Sequence, residues 1–161
     1  MIPDDTLRAR LATSLGVQRY VEEVAAGAPY PDLDALLAAA DAAASTLTPA
    51  ETEEALSHHP RIGERPAGVG AGSALSRQEQ SSADADDPEL VEAMARGNLA
   101  YEERFGRIFL VRAAGRSRRE ILAELDRRLG LDDDAERAEV VRQLGEIALL
   151  RLRTMAAEDA A

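Results

Sequence analysis

No stretch of this chain alternates apolar and polar residues for long enough to make a half-buried strand, which leaves helices as its building material. The one β-favouring run, Ile108-Phe109-Leu110-Val111, is too short to build a sheet alone. Helix starts, by contrast, are written out. Thr48-Pro49-Ala50-Glu51 reads as an N-cap, a proline at the first helical position and a capping-box glutamate. Ser76-Arg77-Gln78-Glu79 and Ser117-Arg118-Arg119-Glu120 share the same S-x-x-E form. After Ser117, residues Ile121, Leu122, Leu125 and Leu129 fall on one face and Gly130 stops the helix. Leu7 to Leu15, Val17 to Ala26 and Leu33 to Ala44 form three more, separated by Gly16 and by Gly27-Ala28-Pro29-Tyr30-Pro31. Pro88 opens a longer helix towards Phe105. The last runs from about Ala135 to Ala157 on a stripe of Val140, Leu144, Ile147, Ala148 and Met155.

The expectation is an all-α fold, a single compact multi-helix domain of about seven or eight helices over residues 1–161, because no repeat or linker divides the chain. Aromatic residues make up only 3%, so the core must be Leu, Ala, Val and Ile. A net charge of −11 argues against nucleic acid or an anionic membrane as partner. There is no cysteine, which removes disulfides, thiolate metal sites and cysteine nucleophiles. No apolar run approaches a spanning length of roughly 20 residues. The N-terminal MIPDDTLRAR lacks a signal core and the C-terminal AEDAA is no peroxisomal address, so a cytoplasmic location is expected.

Two histidines exist, and they are adjacent: His58 and His59, followed by Pro60. The proline biases His59 away from helix, so it should sit where a helix gives way to a loop. A histidine there is a good acid/base candidate, and equally a polar helix end complementing the dipole. Metal binding is disfavoured, because adjacent histidines diverge on a helix and no thiolate is available. Ser76 and Glu79 read first as a capping box. A helix N-terminus there could still bind carboxylate or carbonyl oxygens. Gly63 to Ser73 is Gly-rich, and a loop that long in a small helical domain is often functional. Its Gly68-Val69-Gly70-Ala71-Gly72-Ser73 lacks the Lys-Ser/Thr and the preceding strand of a Walker loop. Arg151 falls on the apolar stripe of the last helix, four residues after Ile147, whereas Arg153 should face water. An inward arginine needs an anionic or hydrogen-bonding partner; a snorkelling edge residue or an internal ion pair would serve as well as a ligand.

Taken in order, His58-His59-Pro60-Arg61-Ile62-Gly63-Glu64, Ser76-Arg77-Gln78-Glu79-Gln80, Asn98-x-x-Tyr101-x-x-Arg104-Phe105-Gly106-x-x-Phe109, Gly115-Arg116 and Leu150-Arg151-Leu152 form a pattern. The pattern resembles the OHCU decarboxylases (2-oxo-4-hydroxy-4-carboxy-5-ureidoimidazoline decarboxylases) over nearly the whole chain. The resemblance implies an all-α carboxy-lyase, usually a homodimer, that converts OHCU to (S)-allantoin and CO2 at the end of urate degradation. It implies His59 as the catalytic histidine. It places Pro60 and the run Ser76, Arg77, Gln78, Glu79, Gln80 at substrate-contacting positions. It makes Phe109, Leu110, Val111, Arg112 and Ala113 the segment whose backbone lines the ring, and Arg151 an arginine completing the pocket.

OHCU carries its own electron sink, a ring C=N bond beside the carbon bearing the carboxylate, so no cofactor and no metal are expected. The sequence shows no lysine-based cofactor motif. His59 would deliver the proton and Glu79 would orient it and the substrate. Gln80 and Ser76 would read the hydantoin-like edge, while Arg151 and backbone N–H groups neutralise oxyanion charge. Two other classes stay open: a non-catalytic helical interaction module on the same scaffold, and a metal-dependent ureide hydrolase using His58, His59 and carboxylates.

Overall fold

A computed structural model describes residues 4–64 and 70–161, Asp4 by its backbone alone. Among these residues the regular elements are eight helices and no strand: α1 (Asp4–Ser14), α2 (Gln18–Ala26), α3 (Leu33–Ala44), α4 (Pro49–Leu56), α5 (Ala71–Glu79), α6 (Pro88–Phe105), α7 (Arg118–Leu129) and α8 (Asp133–Ala160). The chain divides into two units, Met1–His58 with Val141–Ala161, and His59–Val140.

In the first unit α1 packs on α2 and α2 on α3. Its buried apolar set is mainly aliphatic and includes Leu11, Leu15, Val17, Val24, Leu37, Leu144, Ala148 and Leu152. The one large polar ring inside is Tyr20. Its hydroxyl meets Ser14 Oγ at 3.0 Å, and Ser14 in turn donates to the Leu11 carbonyl at 2.7 Å. Burial pushes the Tyr20 hydroxyl up to about 12. The alanines of α3 permit close approach, with Ala40, Ala43 and Ala44 buried and Gly145 of α8 facing Ala44. Thr48 makes the full capping box, its hydroxyl accepting from Glu51 N at 3.2 Å while Glu51 accepts from Thr48 N at 2.9 Å. Arg19 adds a bond to Glu51 at 2.8 Å, which holds that carboxyl below its ordinary range. Gly16 makes room for a ring: a Cβ there would lie 2.4 Å from His58 Cδ2. His58 thus packs at the α1–α2 junction.

The second unit gathers Ile62, Met94, Tyr101, Phe109, Val111, Ala113, Ile121 and Leu125 into one cluster, flanked by Phe105, Leu122 and Leu129. Here α6 packs on α7. Gly97 lies at their crossing, where a Cβ would come 3.1 Å from a Leu125 methyl. Asp87 caps α6 through Glu89 N, and Gly106 ends it in the left-handed conformation at φ 69°. Ser117 caps α7 through Glu120 N, as its sequence form predicts. Residues 107–113 run without regular structure, in keeping with a β-favouring stretch too short to pair.

Two expectations change. Helix α5 begins at Ala71 behind Gly70, with no side-chain cap, so Ser76 and Glu79 lie in its last turns and form no capping box. Small residues at 71–74 let the helix start earlier, and Ser76 is buried within it. The Gly-rich loop expected from Gly63 to Ser73 is accordingly shorter; its residues 65–69, including Gly68 and Val69, lie outside the described residues. On α7 the buried face is Arg118, Ile121, Leu125 and Arg128, with Leu122 and Leu129 only half-buried.

Glycine inside a helix costs about 0.5–1 kcal/mol relative to alanine. At Gly145 a Cβ would make only ordinary contact, 3.8 Å from Ala44 Cβ. Gly145→Ala is expected to raise the denaturant midpoint of the folded chain by about that energy, and equilibrium unfolding with an unchanged m-value checks it.

Candidate active site

His59 opens the second unit, half-buried, two residues beyond Ser57, the C-cap of α4. Half-buried Pro60 follows it, and then a segment that is tied down residue by residue. Arg61 Nε donates to Glu102 Oε1 at 2.5 Å. The Ile62 carbonyl accepts from Asn98 Nδ2 at 2.9 Å. The Gly63 N–H donates to Gln80 Oε1 at 3.0 Å, and Gln80 Nε2 lies 3.5 Å from the Arg61 carbonyl. Gly63 has φ +94°, a conformation that excludes a β-carbon at little cost only for glycine. The resemblance gives Gln80 a substrate contact; in the structure its amide oxygen holds the loop behind the His-Pro pair.

The segment Phe109 to Ala113 is held by a buried ion pair. Arg128 and Glu136, both with fully buried side chains, meet at 2.6 Å and 2.9 Å in a two-pronged contact. The remaining guanidinium nitrogen, Nη1, donates to the Leu110 carbonyl at 2.5 Å. The guanidinium Cζ lies 4.8 Å from the Phe109 ring centroid. The Tyr101 hydroxyl donates to Glu136, and burial, followed by that carboxylate, raises its pKa. Phe109, Val111 and Ala113 place their side chains in the core cluster. What this segment offers a ligand is chiefly its backbone, on a path fixed by Arg128.

A cavity of about 680 Å³ opens in the second unit beside this scaffold. Of the residues the resemblance assigns to the site, Arg77 and Gln80 line it; His59, Pro60, Ser76, Gln78, Glu79 and residues 109–113 do not. Arg61, Glu64, Asp86, Asn98, Glu102 and Arg118 complete its polar wall. Asp84 bonds the first turn of α7, its carboxylate accepting from Arg118 N at 2.8 Å and Arg119 N at 3.1 Å. Those two N–H groups at a helix N-terminus hold the Asp84 carboxyl below its ordinary range. Arg151 belongs to the first unit, buried as its place on the stripe predicts, with Nη1 donating to the Thr13 carbonyl at 3.0 Å; Arg153 is exposed. Among the described residues no three of His, Asp, Glu and Cys come together as a metal site would require.

Sequence inspection missed Arg118 and Arg128. A signal was available: both stand in register with Ile121 and Leu125, at i, i+3, i+7 and i+10 of α7.

Helices alone, with a histidine at a helix end and polar side chains aimed at loop backbone, define an all-α protein of a known architecture. A crystal structure of OHCU decarboxylase in the presence of (S)-allantoin matches with a TM-score of 0.77 at 22% identity, covering 96% of this chain and 98% of that one. A crystal structure of (S)-allantoin synthase matches with a TM-score of 0.66 at 18% identity, covering 95% of this chain and 50% of that one. No curated protein sequence matches. The family model of OHCU decarboxylase matches residues 1–153, and the chain belongs to that family. It is a carboxy-lyase of the urate-to-allantoin route.

Removing one partner of a buried ion pair leaves the other charge uncompensated, at a cost of about 3–5 kcal/mol. Arg128→Met is expected to lower stability by about that amount, measured by chemical denaturation. A loss under 1 kcal/mol would show that Glu136 does not depend on this partner.

Proposed function

We propose that this chain converts OHCU to (S)-allantoin and CO2 with His59 as acid/base, Glu79 orienting it, and neither metal nor cofactor taking part. The observation that carries the reading is the family match over residues 1–153, which runs through every motif from His59 to Arg151. The similar crystal structure obtained with (S)-allantoin present supports the product assigned here. Pro60, Ser76, Arg77, Gln78, Gln80, the backbone of Phe109, Leu110, Val111, Arg112 and Ala113, and Arg151 form the substrate-binding set in this reading.

The chemistry needs little from the protein. The bond to the carboxylate breaks and its electron pair forms a double bond to the neighbouring ring carbon, while the C=N pair moves onto nitrogen, which takes a proton. CO2 leaves. The resulting enol then becomes a carbonyl as that ring carbon takes a proton on one face. His59 receives the hydroxyl proton and supplies the carbon-bound proton, one imidazole acting first as base and then as acid. Glu79 binds ring or ureido N–H groups, and Arg151 with backbone N–H groups offsets developing oxyanion charge. A single donor on one side gives one enantiomer.

His59→Ala is expected to fold normally by circular dichroism and to lose optically active product from freshly generated OHCU, leaving only the slow racemic background. Formation of (S)-allantoin at the wild-type rate by this variant would remove His59 from the mechanism. A wild-type chain giving only the background would instead point to the non-catalytic interaction module. Activity abolished by chelation and restored by a divalent metal would point to the hydrolase class. The working form in this reading is one helical domain over residues 1–161, assembled as a cytoplasmic homodimer. Sedimentation equilibrium at micromolar protein should return twice the monomer mass, and a monomer that is fully active excludes the dimer.

A further inference from the structure

The cavity of the second unit holds two buried polar groups whose needs are opposite and unmet. Arg118 is 4% exposed, yet no carboxylate of the described residues pairs with its guanidinium. Its Nε has no hydrogen-bond partner, and its Nη2 reaches only the Gln80 carbonyl, at 3.5 Å. Burial lowers its pKa, with Asp84 and Asp86 offsetting this only at longer range. A guanidinium removed from water without an anion is unfavourable, and it is also a ready anion receptor. Asn98 has the complementary defect. Its Nδ2 is used on the Ile62 carbonyl, which fixes the amide orientation, and its buried Oδ1 has no donor.

The remaining charges of the wall narrow the ligand. Arg61 is shared between Glu102 at 2.5 Å and Glu64 at 3.5 Å, so those two acids already have a cation. Formally, Arg61, Arg77 and Arg118 balance Glu64, Asp86 and Glu102. Such a wall suits one negative charge better than the two of a phosphate. An uncharged N–H suits the amide oxygen of Asn98, because no buried carboxylate is left to hold an ammonium group. At about 680 Å³ the space is of small-molecule size.

We propose that this cavity is a binding site for a small monocarboxylate bearing a neutral N–H group, a ureido or amido acid, with its carboxylate on Arg118 and its N–H on Asn98 Oδ1. Neither His59 nor Glu79 lines the cavity; it adjoins the site assigned to them and shares with it only Arg77 and Gln80, and the two ligand contacts proposed here use neither of those shared residues. Both contacts bear on one loop. Asn98 holds the Ile62 carbonyl, and Arg118 Nη1 lies against Gly63, where a Cβ would be only 3.4 Å away. Occupancy therefore stiffens Arg61–Gly63, the segment directly after His59 and Pro60.

Calorimetric titration of the intact protein tests this with N-carbamoylglycine and N-acetylglycine as probes, against acetate, urea, glycine and inorganic phosphate. The wild type is expected to bind one or both probes at least tenfold more tightly than any of the four others. A preference for N-carbamoylglycine assigns the ureido class, and equal affinity assigns the amide N–H generally. Arg118→Gln should weaken binding at least tenfold. Ala85→Phe, which fills the cavity from its wall and leaves Arg118 in place, should do the same if Arg118→Gln fails to fold. His59→Ala should bind as the wild type does, and the Gly63 amide should gain protection from hydrogen exchange when a probe is bound. No binding at millimolar probe, tighter binding of phosphate or glycine, or binding lost in His59→Ala but kept in Ala85→Phe would each overturn the proposal.

Discussion

The second unit is organised around one buried ion pair, Arg128 with Glu136. Both side chains are withdrawn from water, so neither is tolerable without the other, and the pair joins the end of α7 to the start of α8. Its surplus hydrogen bonds fix everything nearby. One donor of Arg128 takes the Leu110 carbonyl, and Glu136 takes the Tyr101 hydroxyl. Tyr101 in turn packs edge-on against Phe109, with ring centroids 5.3 Å apart. A segment with no regular hydrogen-bonding pattern of its own thereby acquires one path. That matters for a site whose resemblance-based assignment uses the backbone of this segment.

The same device recurs at the loop after His59. Apolar burial supplies only Ile62 there; the course of the chain is set by side chains bonding to backbone or to each other, namely Asn98, Gln80 and the Arg61–Glu102 pair. Such contacts are directional, whereas aliphatic packing tolerates rotation and slip. All 19 basic residues of the chain are arginines. A planar fork of donors can pair a carboxylate and still bond a carbonyl, as Arg128 does, and a lysine ammonium has no equivalent geometry.

The helices were legible with little error because their signals are local. Thr48 and Ser117 cap the helices they announce, and α3 and α6 span the residues their punctuation marks out, α6 opening at Pro88. Ser76 shows the limit of such signals. An S-x-x-E string is only an invitation to start a helix, and Gly70 with the small residues after it starts α5 sooner. The stripe of α8 made Arg151 visible as a buried residue, and the same logic on α7 would have exposed Arg118 and Arg128. It went unread because α7 is rich in arginine, and a charged residue at a helix end is ordinarily taken to face water. Gln80 illustrates a different gap: its residue type gives no hint of a loop contact, which appears only once the Gly63 N–H lies beside its amide oxygen.

By itself, then, the amino-acid order determined the helical class, most helix boundaries, the placement of His59 at a helix end and the family pattern that orders the motifs. These depend on propensity, capping and periodicity, which act within a few residues. The tertiary structure alone decided which carboxylates and carbonyls the buried arginines meet, and that Arg118 Nε and Asn98 Oδ1 are left without hydrogen-bond partners beside a shared cavity. Those outcomes join residues distant in the chain, such as Asn98 with Ile62 and Arg128 with Leu110. A contact of that kind exists only once packing has removed the competing water.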